Sequence, residues 1–326
     1  MGNAQIVGLD TPWFDEVIHL EEVPPENRNG RILSATCQGG GKVSTALAAA
    51  GRLGAPAAII AVMGTGARSD FLIEDFIAHG VDIAHIRRAL GYRDGFSVVL
   101  SDKKSGGRRI LWRPVSDENR LCVEDVERAR AAIKGARFLH LCHLGEPDLY
   151  AARIAHAAGV QVCFDADTYR EEFMPHMDTV DILIGSEEFY LSYFADTDAK
   201  AYERNIRALY GRGFSTVIFT FGAQGCKGIS PEGYFELPAF RVEAEDTVGA
   251  GDVFHGAYLA GLCKGMGAEE AARYASGASA VKCMAEGGRA GIPDDAMLRE
   301  FLSTGRIDEK VLREREAYYR KKYLTL

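Results

Sequence analysis

The sequence predicts an α/β protein in three layers, with a mostly parallel central sheet between helices and a small additional β-sheet. Three observations carry this. From Val123 onward, segments with helical spacing alternate with short apolar runs, the pattern of βαβ units. The run Ala57 to Met63 is apolar throughout and short, as a strand covered on both faces must be. By contrast, Gly95 to Ser101 and Arg108 to Val115 alternate apolar and polar residues across Asp102–Gly107, which reads as a hairpin with one wet face.

In order, Ala4 to Leu20 holds a core strand around Ile6–Leu9 and a half-exposed strand around Val17–Leu20, with Asp10 and Asp15 beside them as turn residues or ligands. Gly39-Gly40-Gly41-Lys42 opens a helix through Ala50 to Leu53. It is not a Walker loop, which needs Gly at position 36 and a hydroxyl after the lysine, where Thr36 and Val43 stand. A helix spans Asp70 to His79. Another runs from Val123 to about Ala132, followed by a strand Phe138–Leu144, a helix Tyr150–Ala158, strands at Val160–Asp165 and Asp181–Gly185, a helix Lys200–Tyr210 and a strand Thr216–Phe221. A hairpin at Gly228–Phe240 and a helix at Ala268–Ala285 follow. Arg306 to Lys322 is charged and helical, a solvated surface helix by default. In such folds ligands sit at the carboxyl ends of the strands.

Composition excludes several classes. At 326 residues, 47% hydrophobic and 26% charged, the chain can bury a large core. A net charge of -8 repels nucleic acid. No apolar run approaches the ~20 residues that span a bilayer, and no leader pattern opens the chain, so a cytoplasmic protein is expected. The seven cysteines form no C-x-x-C pair, which argues against zinc and a disulfide framework.

The chemistry concentrates in Glu245-Asp246-Thr247-Val248-Gly249-Ala250-Gly251-Asp252-Val253-Phe254-His255-Gly256. Small residues entering a helix let backbone amides approach an anion, and a carboxylate in the first turn can take a proton from an attacking hydroxyl. By itself a Gly-x-Gly-Asp turn is as often a helix cap. The longer pattern resembles the C-terminal signature of the PfkB, or ribokinase-like, carbohydrate kinases. Gly39–Gly54 is similar to their N-terminal signature, with Thr45 where many members have Asn. The resemblance implies a ribokinase-like fold with Asp252 as catalytic base and Gly249, Ala250 and Gly251 as an anion hole.

It implies further assignments. Asp15, Gly40, Gly41, Lys42 and His143 would contact the sugar. Arg113, ending the hairpin strand that leads back to the core, is suited to an anionic group, since guanidinium forks bind such groups well; Arg108 and Arg109 read as surface charges. Ser186, Thr220, Gly222, Gly225 and Gly287 would hold ATP. Asp167 and Glu187 would hold Mg²⁺ through water, and Asp246, Val248 and Gly291 a monovalent cation, K⁺ where one is used. One kinase domain over 1–326 is expected, with a lid from about 11–38 and 92–116 that also pairs two subunits, and a tail at 305–326. The expected activity is ATP-dependent phosphorylation of a sugar hydroxyl, with sulfonated or phosphorylated ketoses among the open substrates. Two rivals are a sugar sensor on the same scaffold and a nucleotide-dependent oxidoreductase; the latter lacks Gly-x-Gly-x-x-Gly after the first strand.

Overall fold

The computed structural model describes residues 4–105, 107–195, 197–198 and 200–325. Strand β1 (Ile6–Leu9) starts the large sheet, and β2 (Trp13–Leu20) and β3 (Ile32–Gly40) leave it for a second one. The chain returns through α1 (Lys42–Arg52), β4 (Ala57–Met63), α2 (Ala67–Ala78) and β5 (Val81–Arg88), then adds β6 (Gly95–Asp102) and β7 (Arg108–Arg113) to the small sheet. Gly106, inside the hairpin turn, lies outside the described residues. The second half runs α3 (Val123–Arg128), α4 (Arg130–Gly135), β8 (Phe138–Leu141), α5 (Glu146–Ala157), β9 (Gln161–Ala166), β10 (Ile182–Ser186), α6 (Glu187–Tyr193), α7 (Tyr202–Tyr210) and β11 (Thr216–Thr220). It closes with β12 (Cys226–Ser230), β13 (Gly233–Leu237), α8 (Ala250–Cys263), α9 (Ala268–Lys282), α10 (Asp295–Thr304) and α11 (Glu309–Tyr323).

The large sheet has nine strands in the order β13-β12-β11-β10-β9-β8-β1-β4-β5, parallel from β11 to β5 and antiparallel at the β12–β13 edge. Alternate residues of each strand serve opposite cores. Ile6, Ile59 and Cys163 face α1, α8 and α9, while Val7, Ile60 and Phe164 face α5 and α7. The fully buried β1 and β4 are therefore apolar throughout, as a doubly covered strand requires. The small sheet has the order β3-β2-β6-β7, with β2 and β6 parallel and both outer pairs antiparallel.

Strand β3, within the stretch expected as lid, adds to the strands named above; its alternation of Leu33, Ala35 and Cys37 with Ser34, Thr36 and Gln38 is a legible signal. Three expectations change. Helix 123–132 is two short helices meeting at Ala129. Strand β8 stops at Leu141, so His143 stands two residues beyond it. Helix α11 is not a solvated helix. Leu312, Glu316 and Tyr319 are buried, the Tyr319 hydroxyl donates to Asp75 at 2.6 Å, and Glu316 accepts the Glu286 amide at 2.8 Å. Among the described residues no helix is long and apolar enough to cross a membrane, and all seven cysteines are free.

Candidate active site

The 246–252 turn is shaped by Gly249, whose φ of 74° is left-handed and open to glycine at little cost. It caps α8 and puts Asp252 in the first turn. Ala250 departs from the expected set of free amides: its N–H donates to the Thr247 carbonyl at 3.2 Å, closing the turn. Among the described residues the amides of Gly249 and Gly251 have no protein acceptor, and Gly251 is exposed.

Gly256 explains what stands opposite. A Cβ there would lie 1.9 Å from the Ala46 carbonyl, so its absence lets α1 cross α8 closely and brings Lys42 beside Asp252. Lys42 pairs with Asp167 at 2.5 Å and is also held charged by Asp165. Asp10, at the end of β1, accepts the Thr11 and Ser44 amides at 2.8 and 2.7 Å and so caps α1. Four carboxylates thus face one lysine. The Asp252 carboxyl is raised well above the usual range, by burial first and then by Asp165, Asp10 and Asp167, with Lys42 opposing. Burial likewise raises Asp165, to about 6. Beneath them His255 stacks on His140 at 5.2 Å, and burial pushes both imidazoles down, to about 3 and about 4, so that both are neutral.

The small sheet forms the other wall. Ser97 on β6 donates to Asp15 on β2 at 2.6 Å, and a Cβ on Gly40 would lie 2.0 Å from the Asp15 carboxylate. Asp15 therefore occupies the space that a side chain at 40 would fill. Arg113 ends β7 with its guanidinium 5.6 Å from the Phe96 ring, and Arg68 on α2 lies 4.2 Å from the same ring. Two cations thus lie within cation–π reach of one aromatic ring. His143 is at the surface, edge-on to Phe173.

On the far side of α8 is a cleft of about 670 Å³, mostly apolar, lined among others by Thr220, Gly222, Gly225, Phe240 and Gly251. Two residues expected there face elsewhere. Ser186 caps α6, accepting the Phe189 amide at 3.1 Å and donating to the Asp167 carbonyl. The Gly287 amide donates to the Asp246 carboxylate at 2.9 Å, and its Cα packs on Gln38. Glu187 is exposed in the first turn of α6, one residue after the Ser186 that joins Asp167.

Of the residues expected to hold a monovalent cation, Asp246 instead partners a lysine: Nζ of the fully buried Lys282 donates to the Asp246 carbonyl at 2.7 Å, and the Val248 amide donates to the Asp246 carboxylate. Gly291 packs on the Lys282 backbone, where a Cβ would lie 2.2 Å from its carbonyl oxygen, so no side-chain ligand fits. This donor set does not suit a free ion. Sequence reasoning left Asp10 open between turn residue and ligand and missed Arg68 and Lys282; Arg108, read as a surface charge, is exposed and also donates to the Thr247 hydroxyl at 3.1 Å.

A three-layer α/β fold with a separate four-stranded sheet on the strand-end side is that of the ribokinase-like proteins. One such structure, from E. coli in complex with ATP and Mg²⁺, superposes with a TM-score of 0.77 at 23% identity, covering 92% of this chain and 99% of its own, a likeness of fold. The pfkB family carbohydrate kinase model matches residues 10–295, and the chain belongs to that family. The ribokinase of Haemophilus influenzae is 27% identical over 299 residues, 87% of this chain and 94% of its own. The ATP-dependent ribose-1-phosphate kinase of Halopiger xanaduensis is 26% identical over 296 residues, 89% and 95% of the two chains.

Proposed function

We propose that this kinase transfers the γ-phosphoryl group of ATP to a hydroxyl of a sugar or sugar-like molecule, with Asp252 as the base. The observation that carries this is the position of Asp252. It lies on the first turn of α8, next to the Ala250 and Gly251 that line the 670 Å³ cleft and among Asp10, Asp165, Asp167 and Lys42, with burial and those three carboxylates raising its proton affinity. A carboxylate so placed is a stronger base than one in water, and the lysine opposite keeps it from being permanently protonated.

ATP would lie in the cleft, with Thr220, Gly222 and Gly225 near its phosphates. The Gly249 and Gly251 amides at the positive end of α8 would receive the charge on the transferring group. Asp15, with Gly40, Gly41, Lys42 and His143, would orient the substrate, because a carboxylate accepts from two hydroxyls at once. Asp167, with Asp165 behind it and Glu187 on the rim, offers the hard oxygen donors that Mg²⁺ prefers. Bound there, the ion would neutralise phosphate charge. Asp252 would take the hydroxyl proton as that oxygen attacks the γ-phosphorus in line and the β–γ bridging bond breaks.

Arg113 and Arg68 on Phe96 favour a substrate bearing phosphate, sulfonate or carboxylate, in keeping with a relative named for acting on ribose 1-phosphate. The small sheet, as lid, would also pair two copies, since Ile110, Leu111 and Trp112 on β7 and Ile32 and Leu33 on β3 are exposed. Seven unpaired cysteines suit a reducing cytoplasm. The test is ADP release with ATP and Mg²⁺ across neutral, acidic, phosphorylated and sulfonated sugars. An anionic sugar should be turned over, with KM rising about tenfold in Arg113→Ala and in Arg68→Ala, the cost of one charged hydrogen bond. Equal activity of those variants on that sugar removes the anion reading, and no turnover with any sugar counts against the kinase reading. Light scattering reports the dimer, which Leu111→Glu should split.

A further inference from the structure

Lys282 ends α9, and its side chain is fully buried. A lysine is rarely buried without a partner, because removing an ammonium from water is costly. Here Nζ donates to the Asp246 carbonyl at 2.7 Å, within the ~2.7–2.9 Å of a charge-assisted bond. The Asp246 carboxylate accepts the Val248 amide and the Gly287 amide, each at 2.9 Å. The Asp246 residue therefore ties three things together: the ammonium, the turn that leads into α8, and the glycine loop after α9. Gly291 in that loop closes over the Lys282 backbone. His19 of the small sheet approaches the same carboxylate at 3.9 Å, and Arg108 holds the neighbouring Thr247 at 3.1 Å.

We infer that the Lys282 ammonium is a built-in cation that takes the place of an exchangeable monovalent ion, so that the turn carrying Gly249 and Gly251 is held in position without K⁺. An ammonium nitrogen and a potassium ion are close in size and seek the same oxygen ligands. The difference is that the lysine stem delivers its charge from α9 and cannot leave. Lys282 is a positioning residue: it touches neither nucleotide nor substrate and acts through Asp246 on the entry to α8. Burial lowers its proton affinity and Arg108 lowers it further, while Asp246, Cys283 and Asp252 raise it; the bond from Nζ to the Asp246 carbonyl is what holds the group in place.

The inference rests on the kinase reading only for its nucleotide arm, so the test has two readouts. Melting temperature of the apoprotein and ATP affinity by calorimetry are measured in tetramethylammonium chloride and in KCl at equal ionic strength, for wild type, Lys282→Ala and Lys282→Met. Wild type should show the same melting temperature and ATP affinity in both salts. Lys282→Ala should bind ATP about tenfold more weakly in tetramethylammonium, the loss of roughly one charged hydrogen bond, and recover with K⁺. Lys282→Met, whose stem fills the space without charge, should show the same loss and no recovery. A wild type whose melting temperature or ATP affinity rises with K⁺ overturns the inference, and that arm stands even if both variants fail to fold. So does a Lys282→Ala variant that K⁺ helps no more than tetramethylammonium, or a Lys282→Met variant that binds ATP like wild type. A wild type that binds no ATP in either salt defeats the kinase reading, and the apoprotein melting temperatures then decide the cation question alone.

Discussion

Asp75 and Asp252 are both acidic residues turned inward, yet their surroundings push them in opposite directions. Asp75 on α2 meets the fully buried Arg289 guanidinium, the Tyr319 hydroxyl and His79, and these hold its carboxyl below the usual range against burial. Asp252 meets three more carboxylates and one lysine, and is raised. One cluster is balanced; the other carries surplus negative charge with two amides left open beside it. Balance suits the first to a structural joint, and imbalance is what the proposed base requires of the second, since perturbed groups facing a cleft are where chemistry is usually found.

The sharpest way to break this contrast is Asp252→Asn. Turnover should fall about a thousandfold or more, within the range for removing a general base, while the melting temperature holds or rises because one of four clustered charges is gone. A variant that keeps wild-type turnover would falsify the base assignment. Next comes Asp75→Asn, which leaves Arg289 charged and buried without its partner. Stability should fall by about 3–5 kcal/mol in urea titration, and a loss under ~1 kcal/mol would mean that the pair is not a joint.

A pH series separates the two kinds of carboxylate more finely. Asp148 belongs with the raised group, pushed to about 7 by burial. A carboxyl raised in the folded state stabilises most when protonated, so its contribution is lost as pH climbs from the ordinary 3.8 towards about 7. Wild type should therefore lose stability relative to Asp148→Asn across that interval. Asp75 has the opposite sign: its contribution is present above the ordinary carboxylate value and disappears in acid as pH falls through its lowered one. A difference between wild type and Asp148→Asn that is flat with pH refutes the raised value. The smallest expected effect is that of Arg108→Ala. Losing the bond to Thr247 at an exposed position should lower kcat/KM about threefold, the order of one modest hydrogen bond, with the melting temperature unchanged. A normal kcat/KM would return Arg108 to the surface charges.

Much of this was legible, and the reasons differ by region. The 245–256 segment announces itself because a turn proposed to bind an anion needs small residues in sequence, and the proposed base follows within one helical turn. The parallel sheet is legible because doubly buried strands must be apolar. The buried charges were not, because burial is decided by partners far along the chain: Lys282 meets Asp246 36 residues earlier, and Arg289 meets Asp75 across 214. Arg289 sits two residues after Gly287, which the resemblance assigns to ATP, and only the fold shows it under the small sheet, donating to the Gly40 carbonyl. Lys282 looks like any helix lysine. For α11 a signal existed, since Leu312, Glu316 and Tyr319 follow helical spacing, but the charged residues between them hide it.

Helix α11 also bears on the order in which the molecule assembles. Its Tyr323 hydroxyl donates to Glu16 on β2 at 2.6 Å, Arg320 pairs with Glu286, and Glu286 in turn accepts from Ser34 on β3. The sheet that carries Asp15 is made early on the ribosome, yet its backing arrives hundreds of residues later. Contacts of such long sequence separation form late, because loop closure must precede them. The nascent chain would thus expose the strands of its proposed substrate wall until α11 emerges, which makes that helix a late fastening of the candidate active site and a poor place to trim or fuse.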